Sequence, residues 1–414
     1  MFAVAHELFY EKCVITTTTK MSRSEIELAD QTIKIADFNG FEADRINDIT
    51  LIYRGLAEND ESKITGFQSG ELEVLSDILH HQQIPLLIEA DGSKRKPCKF
   101  PADHEHEPNI PSFVNKVCVV IGLSALGKPL NEEFFHRPDN IAKALNISLG
   151  ETITIDHFFE ILTHPDGALK NIPGEAEKIL FLHQADCLLE NNEINELALQ
   201  LKGFYEQVLL SEIYKDSLQI KAHWGKIGCV ILAAGSGSRF GGSKQLAIFK
   251  KKTFIENVIE TVLNVHFQNR IVILGSYFEE IEPLISKYEI TILNNVNWEF
   301  GQASSVKLGV NYLLKDSVDA IIFLLVDQPQ ITASMINDVL NLFAYQKHNI
   351  IVHNYVGQNR HPILFSNTTF QDLLGIEGDK GGRQLFEKFS PFQIILEDEY
   401  MAIDIDTIED LKKL

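Results

Sequence analysis

An apolar run, Gly228-Cys-Val-Ile-Leu-Ala-Ala234, ends abruptly in the loop Gly235-Ser-Gly-Ser-Arg-Phe-Gly-Gly-Ser-Lys244, where four of ten residues are glycine. A short apolar segment bounded by turn residues reads as a fully buried strand, the kind found inside parallel sheets. A strand that runs straight into glycines leaves little choice of fold at this point. Glycine lets backbone amides turn toward an anion with no Cβ in the way. Arg239 and Lys244 add charge-assisted hydrogen bonds for phosphate oxygens. The small Ala233 and Ala234 leave room for a flat base at the strand end. The pattern G-x-x-x-x-G-K-[ST] does not occur, so this is not a Walker A loop. The expected nucleotide contacts are Leu232, Ala233, Ala234, Gly235, Ser236, Gly237 and Lys244.

Short apolar runs alternate with amphipathic stretches along the whole chain, which predicts α/β architecture with parallel sheets. Strands are expected at Cys13–Thr18, Leu86–Ala90, Lys116–Ile121 and Lys178–His183, then at Gly228–Ala233, Arg270–Leu274, Ile290–Leu293, Ala320–Val326 and Ile350–His353. Helices fit Glu71–Gln82, Ala185–Leu201, Phe254–Asn264, Ser304–Leu314, Ala333–Gln346 and Gly382–Phe389. A last helix is expected from Thr407, with Asp410 as its capping-box partner. The 414 residues suit two domains. The boundary is expected at 216–225, between a domain over 1–215 and one over 226–414.

A net charge of −21 argues against a nucleic-acid or anionic-membrane surface. It leaves room for a local phosphate site. Five scattered cysteines, with no C-x-x-C pair, indicate neither a disulfide framework nor zinc. Reduced thiols, no basic leader and no long apolar span together predict a cytoplasmic protein.

Asp327 follows the apolar run Ala320–Val326. Ligands of open α/β sheets bind beyond the carboxyl ends of strands, so Asp327 suits a metal ligand. Asp404 and Asp406 alternate along an extended segment and share a face. Asp404 is favoured as second ligand. Asn295 and Ser305 are candidates for holding the nucleotide, with Ser304 equally suited to a helix N-cap.

These motifs are similar to those of the molybdenum cofactor nucleotidyltransferases, within the wider nucleotide-diphospho-sugar transferase fold. The resemblance runs through Leu232-Ala-Ala-Gly235, Asn295…Gly301…Ser305, Leu325-Val-Asp327-Gln-Pro329, Arg360-His361-Pro362, Gly378–Arg383 and Asp404-Ile-Asp406. It implies a Rossmann-like C-terminal domain that joins CMP from CTP to a molybdopterin acceptor with Mg²⁺, releasing diphosphate. It implies Lys244, Arg239 and Asp327 as catalytic residues, Gly301 on the nucleotide side, and His361, Lys380 and Arg383 on the acceptor side. Another nucleoside triphosphate, a sugar or polyol phosphate acceptor, and a non-catalytic nucleotide-binding chaperone are the alternatives.

In the first half, Thr16-Thr-Thr-Thr-Lys20 follows one strand and Glu89-Ala-Asp91-Gly-Ser-Lys-Arg-Lys-Pro97 another. A carboxylate at a strand end before a basic loop suggests a metal position beside a phosphate site. Together with 101–111, Gly122–Gly127 and His136-Arg-Pro138, these segments resemble the selenium-dependent hydroxylase accessory family. That resemblance implies a P-loop-NTPase-like α/β domain serving a molybdenum hydroxylase client. The family's glycine-rich loop has no counterpart ahead of the threonines, because the first glycine is Gly40. The Asp103–Glu107 run of acids and histidines reads as a solvated loop.

Overall fold

Why the apolar runs become interior strands is plain in a computed structural model of the chain, which describes residues 1–8, 12–102, 106–187, 192–215, 217–237, 240–396, 405 and 407–411. Its residues divide into two compact units. The first holds Met1–Leu197 and Val208–Lys221, the second Ala198–Gln207 and Ala222–Leu414. Both are mixed α/β. Among the described residues no helix is long and apolar enough to cross a membrane.

In the first unit, β1 (Lys12–Thr17), β2 (Gln31–Lys34), β3 (Asp48–Tyr53) and β4 (Leu86–Glu89) form a parallel sheet in the order β2-β3-β1-β4. The register Thr17↔Glu89 brings the threonine run and the Glu89–Asp91 segment to the same sheet end. Helix α1 (Ser69–His80) buries Leu72, Leu75 and Leu79, spaced three and four apart, against Val14 and Ile52. A second sheet contains β5 (Lys116–Gly122), β6 (Glu177–His183), β7 (Gln207–Tyr214) and β8 (Ser217–Trp224). Residues 217–224, expected as part of a linker, are thus a strand. Its sequence Ser-Leu-Gln-Ile-Lys-Ala-His-Trp alternates apolar and polar, which suits one covered and one open face.

In the second unit, the strands are β9 (Ile227–Ala233), β10 (Asn269–Leu274), β11 (Thr291–Asn294), β12 (Ala320–Leu325), β13 (Ile350–Tyr355), β14 (Gln358–Ser366) and β15 (Phe392–Leu396). They form one sheet in the order β11-β10-β9-β12-β14-β13-β15. β9 lies between parallel neighbours β10 and β12, and every residue of it is buried. β14 runs antiparallel to both β12 and β13. Apolar side chains cover both sheet faces. Helices α2 (Phe254–Leu263) and α4 (Ala333–Tyr345) lie on one, and α3 (Gln302–Leu313) on the other. That two-sided burial explains why β9 and β12 read as continuous apolar runs. Thr407 and Asp410 form the expected capping box ahead of Ile408–Leu411.

Candidate active site of the C-terminal unit

The carboxyl ends of β9 and β12 meet side by side. Leu232 pairs with Leu325, and the Val326 amide donates to the Leu232 carbonyl at 3.3 Å. Each strand then releases a loop: Ala234 onward from β9, and Val326–Gln330 from β12. Across these loops Lys244 Nζ lies 3.2 Å from Asp327 Oδ2, with side chains 12% and 24% exposed. The pair joins residues 83 positions apart, so the sheet, not the local chain, creates it.

The glycine loop turns back on itself. Gly237 has φ +60, and a Cβ there would stand 2.4 Å from the Gly242 carbonyl oxygen, so only glycine fits without rearrangement. A Cβ at Gly235 would meet nothing within 4 Å, which leaves an approach for a ligand at the strand end. Arg239 lies outside the described residues, as do Asp404 and Asp406. The amide of fully buried Ile405 donates to the Asp327 carbonyl at 3.3 Å.

The Asn295–Ser305 segment is held mainly by itself. Asn295 Nδ2 donates to Ser304 Oγ at 2.8 Å and Ser305 Oγ at 2.9 Å, while its Oδ1 accepts from the Asn297 amide at 3.0 Å. Asn295 and Ser305 are buried. Their hydrogen bonds shape the turn into α3. Gly301 begins that helix with φ +90, and a Cβ on it would lie 2.5 Å from Asp379 Oδ1. The Ala303 amide donates to the Gly378 carbonyl at 2.9 Å. These contacts fasten the 378–383 loop to the start of α3, with Lys380 and Arg383 both exposed.

His361 sits on β14, two residues from Ile363, which pairs with Phe323 of β12. Antiparallel register therefore carries it toward the carboxyl end of β12. It is 7% exposed, and its Nδ1 has no hydrogen-bond partner. Burial pushes its pKa down to about 3, helped by Arg383 and Arg360, so it is neutral at pH 7. A small cavity brings His361 and Arg383 together with Leu232. Two of the expected acceptor residues and one nucleotide residue thus share one space, and Lys380 is not among its lining.

Two neighbours of this site escaped the sequence reading. The Gln245 side chain is buried and donates to the carbonyls of Ala233 and Gly235, both at 2.8 Å. Gly275 packs so closely that a Cβ would lie 2.7 Å from the Ala234 carbonyl oxygen and 2.8 Å from Trp298 Cβ. Their only sequence signals were a glutamine beside the basic residue and a glycine at a strand end.

In the first unit the matching sheet end is internally paired. Thr17 Oγ1 donates to the Glu89 carbonyl at 2.9 Å, and Thr18 Oγ1 to the Asn109 carbonyl at 2.8 Å. Lys99 bridges Asp91 and Glu107, and Arg137 donates to Glu107 at 2.6 Å. Burial raises Glu107, but the hydrogen bonds from Arg137 and Lys99 outweigh it and hold the pKa at about 2. Asp91 therefore faces a lysine. Among the described residues no cluster of three or more metal-binding side chains occurs. Asp103, His104 and Glu105 lie outside the described residues.

Each half of the chain matches a known family. Residues 229–393 match the MobA-like NTP transferase domain, and residues 1–139 match the YqeC protein family. The C-terminal unit thus carries a MobA-like NTP transferase domain, and the N-terminal region a YqeC domain. The chain is 30% identical to the Uncharacterized protein YqeC of Escherichia coli (strain K12), over 30% of this chain and 47% of that one. The match thus spans about half the length of that relative. It is 28% identical to the Purine catabolism protein PucB of Bacillus subtilis (strain 168), over 38% of this chain and 79% of that one. It is 26% identical to the Molybdenum cofactor cytidylyltransferase of E. coli, over 44% of this chain and 93% of that one.

Proposed function

We propose that the C-terminal unit transfers CMP from CTP to a molybdopterin-type acceptor, the molybdenum cofactor, and releases diphosphate. The observation that carries this reading is the Lys244–Asp327 pair beside the glycine loop, at the joined ends of β9 and β12. Similarity to a cytidylyltransferase of that cofactor supports the choice of substrates.

The reaction is an in-line displacement. An acceptor phosphate oxygen attacks the α-phosphorus of the nucleotide as the bond to diphosphate breaks. Negative charge grows on the leaving oxygens, and fixed positive charge there lowers the barrier. Lys244 supplies such a charge, aimed by its contact with Asp327. The loop amides hold the triphosphate, and Ala233 and Ala234 leave space for a pyrimidine. Arg383 grips the acceptor phosphate, with Lys380 nearby on the same loop. The neutral His361 offers a hydrogen bond and no charge. Asn295, Gly301 and Ser305 hold the nucleotide-side turn in place.

Mg²⁺ favours one or two carboxylates completed by water and phosphate oxygens over an all-protein cage. The site fits that demand. Asp327 presents a partly exposed carboxylate, and the amide of Ile405, the residue after Asp404 in the chain, donates to the Asp327 carbonyl. Asp327 and Asp404 would hold the ion, which neutralises charge on the phosphate oxygens when bound. The product then passes to a molybdenum hydroxylase client.

The test is diphosphate release, measured with each of four nucleoside triphosphates and Mg²⁺ against molybdenum cofactor and several sugar or polyol phosphates. CTP with molybdenum cofactor should be turned over fastest. Preferred use of GTP would overturn the base assignment. Preferred use of a polyol phosphate would overturn the acceptor.

A further inference from the structure

Gln245 stands directly after Lys244, and both donor hydrogens of its carboxamide are committed to the main chain. Its Nε2 carries two hydrogens, which go to the carbonyls of Ala233 and Gly235, both at 2.8 Å. Its Oε1 accepts from Ser243 Oγ at 3.2 Å. The side chain is only 2% exposed. These three bonds tie the first residues of the glycine loop to the last. The intervening loop leaves β9 at Ala233 and returns at Ser243, so one side chain closes it at its neck.

We infer that Gln245 is a positioning residue that presets the nucleotide loop by fixing its neck before the triphosphate binds. The inference rests on the reading of this loop as a nucleotide site. Two physical points support it. Carbonyl oxygens at a phosphate-binding strand end repel phosphate oxygens, and Gln245 occupies the two that flank Ala234. A loop of glycines also has many unliganded conformations, and the ordering cost falls on binding unless something fixes the neck beforehand. Gln245 supplies that constraint from a buried position, where its hydrogen bonds are shielded from water. Glutamate has nearly the same shape but reverses the chemistry. An ionised carboxylate donates nothing and faces two carbonyl oxygens. Methionine keeps the length and removes every bond.

The experiment uses the full chain. Affinity for CTP, ATP, GTP and UTP is measured by calorimetry without acceptor, and steady-state kinetics are measured with it, for wild type, Gln245→Glu, Gln245→Met and Ser243→Ala. Both Gln245 variants should weaken binding of the preferred nucleotide at least tenfold. KM for that nucleotide should rise in parallel, while kcat at saturation stays within about threefold and KM for the acceptor is unchanged. A role confined to stability would not produce that split. The Glu variant should regain part of its affinity as pH falls from 8 to 6, because a buried carboxyl between carbonyls titrates high and, once protonated, donates one bond. Wild-type nucleotide affinity in both variants would overturn the inference. If both fail to fold, Ser243→Ala decides: a two- to threefold loss of affinity supports the neck closure, and none overturns it. Nucleotide binding without turnover in the wild type would sink the proposed reaction and leave the inference standing.

Discussion

The two units place polar residues at the same kind of position, the carboxyl ends of adjacent parallel strands, and use them differently. In the C-terminal unit, Lys244 and Asp327 meet beside a loop of glycines with open space at Gly235. In the first unit, the threonines bond backbone carbonyls, and Lys99 is held between Asp91 and Glu107. A strand end with a carboxylate and a lysine is therefore not enough to define a nucleotide site. What separates the two is backbone freedom around the charges. The glycines at 235, 237, 241 and 242 leave main chain uncovered by side chains, as the proposed phosphate site requires. At 94–95 the first unit instead has Lys94 and Arg95 in the left-handed region, beside a closed network of side chains.

The largest effect that would break this comparison is loss of catalysis. Asp327→Ala should reduce nucleotidyl transfer by about a thousandfold or more, the scale of removing a group that stabilises charge in a phosphoryl transition state. Circular dichroism should remain that of the wild type, because Asp327 is partly exposed. Asp91→Ala in the first unit should leave kcat within about twofold. Comparable losses in both would mean that the two strand ends share the chemistry.

Much of this contrast was legible in the sequence, for reasons that differ by residue. β9 and β12 are buried on both faces, so their apolar runs stood out, and Asp327 was placed because it ends one of them. Gly237 was visible as glycine, although its necessity, the Gly242 carbonyl 2.4 Å away, was not. Gln245 was missed because its bonds go to main-chain carbonyls, which leave no trace in residue type. β14 was missed because it begins with the polar stretch Gln358-Asn-Arg-His and contains Pro362. Residues 217–224 read as a linker because they are half exposed and follow the end of a helical pattern. The internal pairing of the first unit was invisible, since Lys99, Glu107 and Arg137 come from separate segments.

A smaller effect tests the first unit's network. Lys99 has a side chain only 10% exposed and lies between two carboxylates. Lys99→Met keeps its length and leaves Asp91 and Glu107 facing each other. Removing one partner of a buried ion pair typically costs about 3–5 kcal/mol. Arg137 still serves Glu107, so a loss nearer the lower figure is expected in urea unfolding. Nucleotide turnover by the C-terminal unit should persist wherever that unit stays folded. An unchanged midpoint would show that this network is solvated, and the contrast between the units would narrow.

The smallest effect is a difference in pH response. Glu89 is half-buried, and desolvation raises its pKa from 4.5 to about 7, with Glu25 and Asp91 adding to the rise and the N-terminal amine and Lys99 opposing it. The folded first unit therefore binds more protons than its unfolded chain between those values. This stabilisation is fully present below pH 4.5 and is lost as pH rises through about 7. The C-terminal unit runs the other way. Burial depresses His353 to about 4 and His361 to about 3, from 6.5. Their folded forms bind fewer protons, so stability present above 6.5 is lost as pH falls toward 4 and 3. Glu89→Gln removes the first contribution without changing shape. By hydrogen exchange, β1 and β4 should become more protected at pH 8, by about 1–2 kcal/mol after allowance for partial solvation. At pH 5 the change should be close to nil, and strands β9 and β12 should not respond at either pH. Equal gains at pH 5 and pH 8 would show that Glu89 does not titrate as its burial demands.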